Sequence, residues 1–406
     1  MAGLLGGSSN GNRRAVFMIH INSAFDGGNI ICDACADPAD IRLRIRPDTK
    51  AEFLQWFYFR LNGARDTECT MRLTNAKDCS YTAGWDGYRA VASYDWENWF
   101  RIDTEYRDGE LLLRHRPELD TVYYAYFAPY SMDRHASLIA RAGQSPRVVH
   151  NVLGQTVEGQ DIDLLTIGEP RTNKRNFWLI ARQHPGETMA EWWMDGFLDR
   201  LLDPSDAVSN ALLDRSVFHV VPNMNPDGSR SGHLRTNAAG ANLNREWSDP
   251  DMSRSPEVYL VRERMRETGV DLCIDVHGDE ALPHNFIAGA QGIPGWNAQR
   301  DMLLTDFKRT WQQINPDFQT RHGYPIAKKG AANMTICVNH VSEYFGCLAM
   351  TLEMPFKDTA DRPDLEFGWS PQRAQKLGKS VIDVVYRLFD RLVGTTAATA
   401  PSNSID

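Results

Sequence analysis

Asn176-Phe-Trp-Leu-Ile-Ala-Arg-Gln-His-Pro-Gly-Glu-Thr-Met-Ala-Glu191 decides the fold. The apolar run Phe177 to Ala181 reads as a buried strand. A polar turn with His184, Pro185, Gly186 and Glu187 follows. Met189 to Leu202 then reads as a helix, because Trp192, Trp193, Phe197, Leu198, Leu201 and Leu202 recur at roughly helical spacing. A strand-to-helix turn at the carboxyl end of a sheet is where α/β folds keep their ligand crevice. There an imidazole and a carboxylate three residues apart can face one divalent ion, since zinc takes N and O ligands at about 2.0–2.2 Å. His-x-x-Glu alone is a weak pattern. On these residues only, a loop histidine and a glutamate favouring the helix N-terminus remain open.

Outward from this turn, strands and helices alternate. Val148–Val152, Ile162–Ile167, Val217–Val221, Leu272–Val276 and Leu348–Leu352 read as strands. Tyr259–Glu267, Met302–Ile314 and Pro371–Leu392 read as helices. This alternation predicts an α/β domain over 146–393 with a mixed, largely parallel central sheet and helices on both faces. Upstream the texture is strand and turn: Ala15–Ile21, Ile41–Arg46, Gln55–Leu61, Thr70–Leu73, Trp99–Ile102, Leu111–Arg114 and Thr121–Phe127. Short strands at regular intervals predict an N-terminal antiparallel β-sandwich over 15–145. The aromatic stretch Asp120–Tyr130 is read as core and inter-domain packing rather than a binding platform. Residues 1–14 and 394–406 are small and polar and are expected to be disordered.

Bulk properties narrow the class. The chain has 406 residues, enough for two domains, with 42% hydrophobic and 24% charged residues. A net charge of −9 argues against a general nucleic-acid surface. The seven cysteines form no paired framework, and Cys32-x-x-Cys35 reads as two ordinary thiols. With no run of about 18 apolar residues no membrane span is expected. Scattered thiols and the lack of a signal-peptide core make the cytoplasm the expected compartment.

The chemistry sits at strand ends. Leu272–Val276 leads into His277, and Cys347–Leu352 delivers Glu353. His184, Glu187 and His277 would form a His2Glu zinc site with the fourth position open, and Asp275 or Asp279 would orient an imidazole. A glutamate closing so apolar a strand suits a general base, because partial burial raises its pKa toward the working pH. A buried ion pair is the alternative. Between Asn223 and Trp247 lie Arg235 and Arg245, whose planar guanidinium groups match carboxylates but are also common on solvated surfaces, and Asn244, which adds an amide donor.

His-Pro-Gly-Glu after a strand, Asn225-Pro-Asp-Gly228, Leu243-Asn-Arg-Glu-Trp247, His277 and Glu353 occur in the order seen in zinc metallocarboxypeptidases. Phe25-Asp-Gly-Gly-Asn29, Gln55–Arg60 and Asp120–Tyr126 resemble the β-sandwich preceding the catalytic domain in the cytosolic carboxypeptidase branch. The resemblance covers roughly residues 15–390 and implies one zinc ion per chain, on His184, Glu187 and His277. It implies that Glu353 activates the attacking water and that Arg235 stabilises the oxyanion. Asn244 and Arg245 would clamp the C-terminal carboxylate of a peptide or protein substrate, with C-terminal Glu one candidate residue. Tyr344 is a candidate for the tyrosine that such enzymes place over the substrate, although its spacing from Glu353 is short. Lys328 or Lys329 is a candidate for reading an acidic side chain. The rival reading is a zinc-dependent amidohydrolase acting on N-acyl amino acids.

Overall fold

The computed structural model describes residues 19–392, so residues 15–18 of the first expected strand and both tails expected to be disordered lie outside it. Two five-stranded sheets form the first part. One runs in the order β1 (His20–Asn22), β4 (Tyr58–Asn62), β10 (Thr121–Ala125), β6 (Val91–Ser93), β7 (Phe100–Arg101). The other runs β2 (Ile31–Ala34), β3 (Ile41–Arg44), β5 (Cys69–Leu73), β9 (Glu110–His115), β8 (Asp103–Arg107). Every pairing is antiparallel except β3 with β5, which is parallel. Strict alternation in Ile41-Arg-Leu-Arg44 buries both apolar residues and exposes both arginines, as a strand with one wet face requires. The aromatic stretch is indeed core: Tyr124, Tyr126 and Phe127 are buried, and Tyr126 stacks on Phe356 of the second part at 4.4 Å.

The second part is built on one seven-stranded mixed sheet. Its order is β11 (Val148–Gln155), β12 (Asp161–Ile167), β14 (Ser216–Val221), β13 (Arg175–Ala181), β15 (Leu272–Asp279), β17 (Leu348–Pro355), β16 (Phe286–Gly289). The four central strands, β14, β13, β15 and β17, are mutually parallel, and antiparallel strands flank them.

The pleat sends alternate residues to opposite faces. On β13, Phe177, Leu179 and Ala181 join a core with α2 (Met189–Leu201), α6 (Ala298–Ile314) and α8 (Pro371–Leu392). Trp178 and Ile180 join a second core with α5 (Pro256–Thr268) and α7 (Cys337–Phe345). Helices therefore cover both faces, as the alternation of elements predicts. Helices α2 and α8 cross closely because both carry glycine at the contact. A Cβ on Gly378 would lie 2.1 Å from the Trp193 carbonyl, and one on Gly196 2.2 Å from that of Gln375.

Three further helices complete the chain: α1 (Met132–Gly143), α3 (Ala207–Arg215) and α4 (Pro226–Ser231). The Ser131 side chain accepts from the Arg134 N–H and so caps α1, which packs against β11 and β12. The two parts interlock through buried polar contacts. Arg101 donates to the carbonyls of Phe356 and Trp369, and Asn29 donates to that of Gly232.

Candidate active site

The pleat also explains why the candidate residues meet. On β15, Asp275 and His277 share a face with Cys273. On β17, Thr351 and Glu353 share a face with Ala349. The register sets His277 directly beside Glu353. Both strands run two residues beyond these positions, so His277 and Glu353 stand within strands rather than beyond their ends, as the sequence had suggested.

His184 and Glu187 come from the turn after β13. Arg182 begins that turn in a left-handed conformation, φ 60°. Its guanidinium donates to the carbonyls of Pro185 and Tyr130 and to the Glu191 carboxylate, which props the turn from below. Gly186 is needed where the turn touches the next loop, since a Cβ there would lie 2.9 Å from the Leu234 carbonyl.

The three metal-ligand candidates converge. Glu187 Oε1 lies 2.7 Å from His184 Nδ1, Glu187 Oε2 lies 2.7 Å from His277 Nδ1, and the two Nδ1 atoms are 3.2 Å apart. Two imidazole nitrogens aimed at each other and at one carboxylate form a donor set for a cation. Their other ring nitrogens face acceptors: His184 Nε2 meets Asn242 Oδ1 at 3.0 Å, and His277 Nε2 meets Asp275 Oδ2 at 2.9 Å. Such partners fix the tautomer that turns the Nδ1 lone pair inward. The support continues outward, with Gln183 donating to Asp275 at 2.6 Å and the Trp247 indole donating to Gln183 at 2.9 Å. The residues therefore fit zinc.

Electrostatics agree at His184 and Glu187, whereas at His277 the Asp275 and Glu187 carboxylates outweigh burial and hold the pKa well above its ordinary value, so a cation must displace a proton there. Burial, with help from the Arg235 charge, pulls the His184 pKa down to about 4, so its imidazole is neutral and free to ligate. Burial acts to raise the Glu187 pKa, but His184 and His277 overcome it and hold the carboxyl well below its usual range. Glu353 is pushed well above its ordinary value, first by burial. Its Oε2 is buried without a hydrogen-bond partner among the described residues.

A cleft of about 520 Å³ joins these groups to Arg235, Asn244 and Arg245. Arg235 lies over the rings of Tyr81 and Phe53, at 5.5 and 5.6 Å, both from the sandwich. Asn244 is anchored by accepting the Cys337 N–H at 2.9 Å, and Arg245 donates to the Asn244 carbonyl at 2.6 Å. His184, Glu187, His277, Glu353, Arg235, Asn244 and Arg245, all picked from the sequence, thus line one cleft.

Residues 135–282 match the family described as zinc carboxypeptidase, and residues 21–127 match the cytosolic carboxypeptidase N-terminal domain. The solved metallo-carboxypeptidase of Burkholderia cenocepacia is 47% identical, with a TM-score of 0.90 over 92% of this chain and 99% of that one. This chain belongs to the zinc carboxypeptidase family.

The metallo-carboxypeptidase of Pseudomonas aeruginosa, solved with (2-guanidinoethylmercapto)succinic acid, is 44% identical with a TM-score of 0.90, over 92% of this chain and all of that one. An uncharacterised protein of Zymomonas mobilis is 49% identical over 92% of this chain and 97% of its own length. Cytosolic carboxypeptidase 3 of Bos taurus is 30% identical over 66% of this chain, which spans 30% of the bovine protein's length. The enzyme is accordingly a metallocarboxypeptidase, a hydrolase of peptides or proteins. No described helix is long and apolar enough to cross a membrane.

The cleft of this carboxypeptidase holds four residues that the sequence did not single out: Tyr81, Glu280, Lys308 and Tyr324. Tyr324 donates its hydroxyl to Asp279 at 2.5 Å and packs edge-on against Phe286. Tyr344 instead stands exposed on α7, stacked on His340, outside the cleft lining. Burial, with help from Glu187, pushes the Glu280 carboxyl up to about 8. Lys328 and Lys329 are exposed and outside the lining, whereas Lys308 of α6 is part of it.

Proposed function

We propose that this metallocarboxypeptidase releases single residues from the C-termini of peptides or proteins, using one zinc ion held by His184, Glu187 and His277. The observation that carries the reading is the convergence of three buried donor side chains, with ligand atoms within 4.8 Å of one another, beside Glu353 in register on the next strand. Zinc bound there would supply a Lewis-acid charge for the scissile carbonyl and lower the pKa of water.

Glu353 is the general base. Its raised pKa gives it the basicity to take a proton from the attacking water and later hand it to the leaving amine. Arg235 supplies a fixed cation at the developing oxyanion. Asn244 and Arg245 take the terminal carboxylate, the guanidinium by its planar fork and the amide by its N–H groups. That clamp makes the enzyme an exopeptidase.

Lys308 points the side-chain preference toward acidic residues. It lines the cleft with Ile287, Ala288, Gln291 and Thr351 and forms no salt bridge among the described residues. Burial lowers its pKa, so a substrate carboxylate would gain a partly desolvated partner. The succinic acid group of the ligand in the Pseudomonas protein is in keeping with carboxylate recognition. The names of the cytosolic relatives support a cytoplasmic setting.

The test is a peptide panel with C-terminal Glu, Lys, Leu and amide ends, given to zinc-loaded and chelator-stripped enzyme. Zinc-dependent release, blocked by amidation and lost in Glu353→Gln with zinc retained, is the expected result. Release from amidated ends would remove the clamp. Cleavage of N-acyl amino acids with no peptide cleaved would replace the reading with an amidohydrolase.

A further inference from the structure

A second cavity, of about 700 Å³, opens where the sandwich meets α1, α2 and α8, and it shares no lining residue with the catalytic cleft. Six of its lining residues are aromatic: Phe25, Tyr58, Trp96, Trp99, Tyr130 and Trp192. Tyr58 and Tyr130 are only 5% and 2% exposed, and neither hydroxyl has a hydrogen-bond partner among the described residues. Two otherwise buried tyrosines whose hydroxyls reach the cavity without partners are open to a ligand.

Trp96 is presented at some cost. It is 49% exposed and its φ is 66°, a left-handed conformation that a bulky residue rarely adopts. The turn that imposes this is over-determined. Asp95 accepts from the Glu97 and Asn98 N–H groups and the Asn98 amide, and Ser93 Oγ accepts from the Asp95 and Trp96 N–H groups. Tyr123 supports the indole edge-on at 5.1 Å. A strained, rigidly held and exposed tryptophan is a feature of binding surfaces rather than of packing.

The charge around these rings is negative. Asp26, Asp95, Glu97, Asp133 and Asp195 line the cavity, against Arg134 and Arg141. Both arginines are already paired, with Glu97 and Asp195. Arg134 also lies over the Trp192 ring at 4.8 Å, so the protein's own cation uses one of these faces. Asp26 accepts the Met132 N–H through Oδ2, while its buried Oδ1 has no partner among the described residues. Aromatic faces attract cations through their quadrupole, and unneutralised carboxylates add to that field.

We propose that this cavity is a second binding site and that it takes a small organic cation, an ammonium or guanidinium group, against Trp96, Tyr58 and Tyr130. A neutral sugar would match the rings but would leave the excess negative charge without a partner.

Calorimetric titration of the full chain with agmatine, and separately with maltose, tests this. Agmatine is expected to bind saturably and more weakly as salt rises. Trp96→Ala and Asp133→Asn, both at exposed positions, are expected to weaken it roughly tenfold, the loss of one cation contact, with peptide hydrolysis unchanged. No agmatine binding, or equal binding by wild type and Trp96→Ala, would overturn the proposal, and so would maltose binding in its place. Because hydrolysis is read in parallel, failure here is distinguishable from failure of the peptidase reading.

Discussion

The carboxylate of Asp48, in the sandwich, accepts the backbone N–H of Arg235, in the catalytic part, at 2.8 Å across 187 positions of sequence. The same side chain accepts the N–H groups of Leu234 and Thr236 and the Thr236 hydroxyl. Thr49 adds a contact to His233, and Asn29 holds the Gly232 carbonyl. One buried anion thus fixes three successive backbone amides of the loop that carries Arg235. The sandwich thus sets where that guanidinium stands in the cleft and supplies the two rings beneath it.

Asp48→Asn keeps the shape but turns an amide N–H toward backbone donors. Hydrogen bonds to charged groups are worth about 1.5–3 kcal/mol each. The expected outcome is a fall in kcat of about tenfold or more, as Arg235 loses its position, with zinc content unchanged. Retained kcat with a lowered Tm alone would reduce Asp48 to a structural tie.

The chain Trp247–Gln183–Asp275–His277 makes a second expectation. Asp275 accepts from Gln183 and faces His277 Nε2, so it orients the Nδ1 that meets His184 and Glu187. Loss of such a partner typically costs about 10–100-fold in metal affinity. Asp275→Asn is expected to bind zinc more weakly by that margin in competition with a chromophoric chelator. Unchanged affinity would mean that Asn242 and the ring packing suffice.

His135 ties stability to pH. Burial lowers its pKa, but the Glu191 and Asp163 carboxylates, at 2.6 and 3.0 Å, overcome that and hold it up at about 9. A group whose folded pKa exceeds its unfolded value, near 6.5, stabilises fully below that value and loses its contribution as pH rises through the folded one. The protonated imidazole is therefore expected to contribute on the order of 3 kcal/mol near pH 6 and to lose it on approaching pH 9. Urea midpoints of wild type and His135→Gln across this window should converge as pH rises. A constant gap would show that His135 is neutral throughout.

Much of this was legible in the chain. Continuous apolar runs marked β13, β15 and β17 as buried strands, and His184, Glu187, His277 and Glu353 stood out as the polar residues at their carboxyl ends. What was not legible depended on partners far away. Nothing near Asp48 marks it as the anchor of a loop beyond position 230. Tyr344, a candidate whose spacing to Glu353 is short, is turned to solvent by α7, while Tyr324 reaches the cleft from an irregular segment without periodicity. The parallel β3–β5 pair likewise leaves no local mark, because pairing direction depends on the connections.

Lysine is the last such case. Lys328-Lys329 is conspicuous as a doublet, but both side chains are exposed, and exposed charges lend little to recognition. Lys308 looks like an ordinary polar position in an amphipathic helix, yet it lines the cleft with Ile287, Ala288, Gln291 and Thr351. If Lys308 reads an acidic C-terminal residue, Lys308→Met should lower kcat/KM for C-terminal Glu by about ten- to a hundredfold, the worth of one charge-assisted hydrogen bond, and spare or improve C-terminal Leu. The doublet Lys328→Ala with Lys329→Ala should leave both substrates unchanged. The reverse pattern, with the doublet abolishing Glu preference and Lys308→Met neutral, would mean that the loop folds over the substrate on binding and that preference is read from above the cleft rather than from within it.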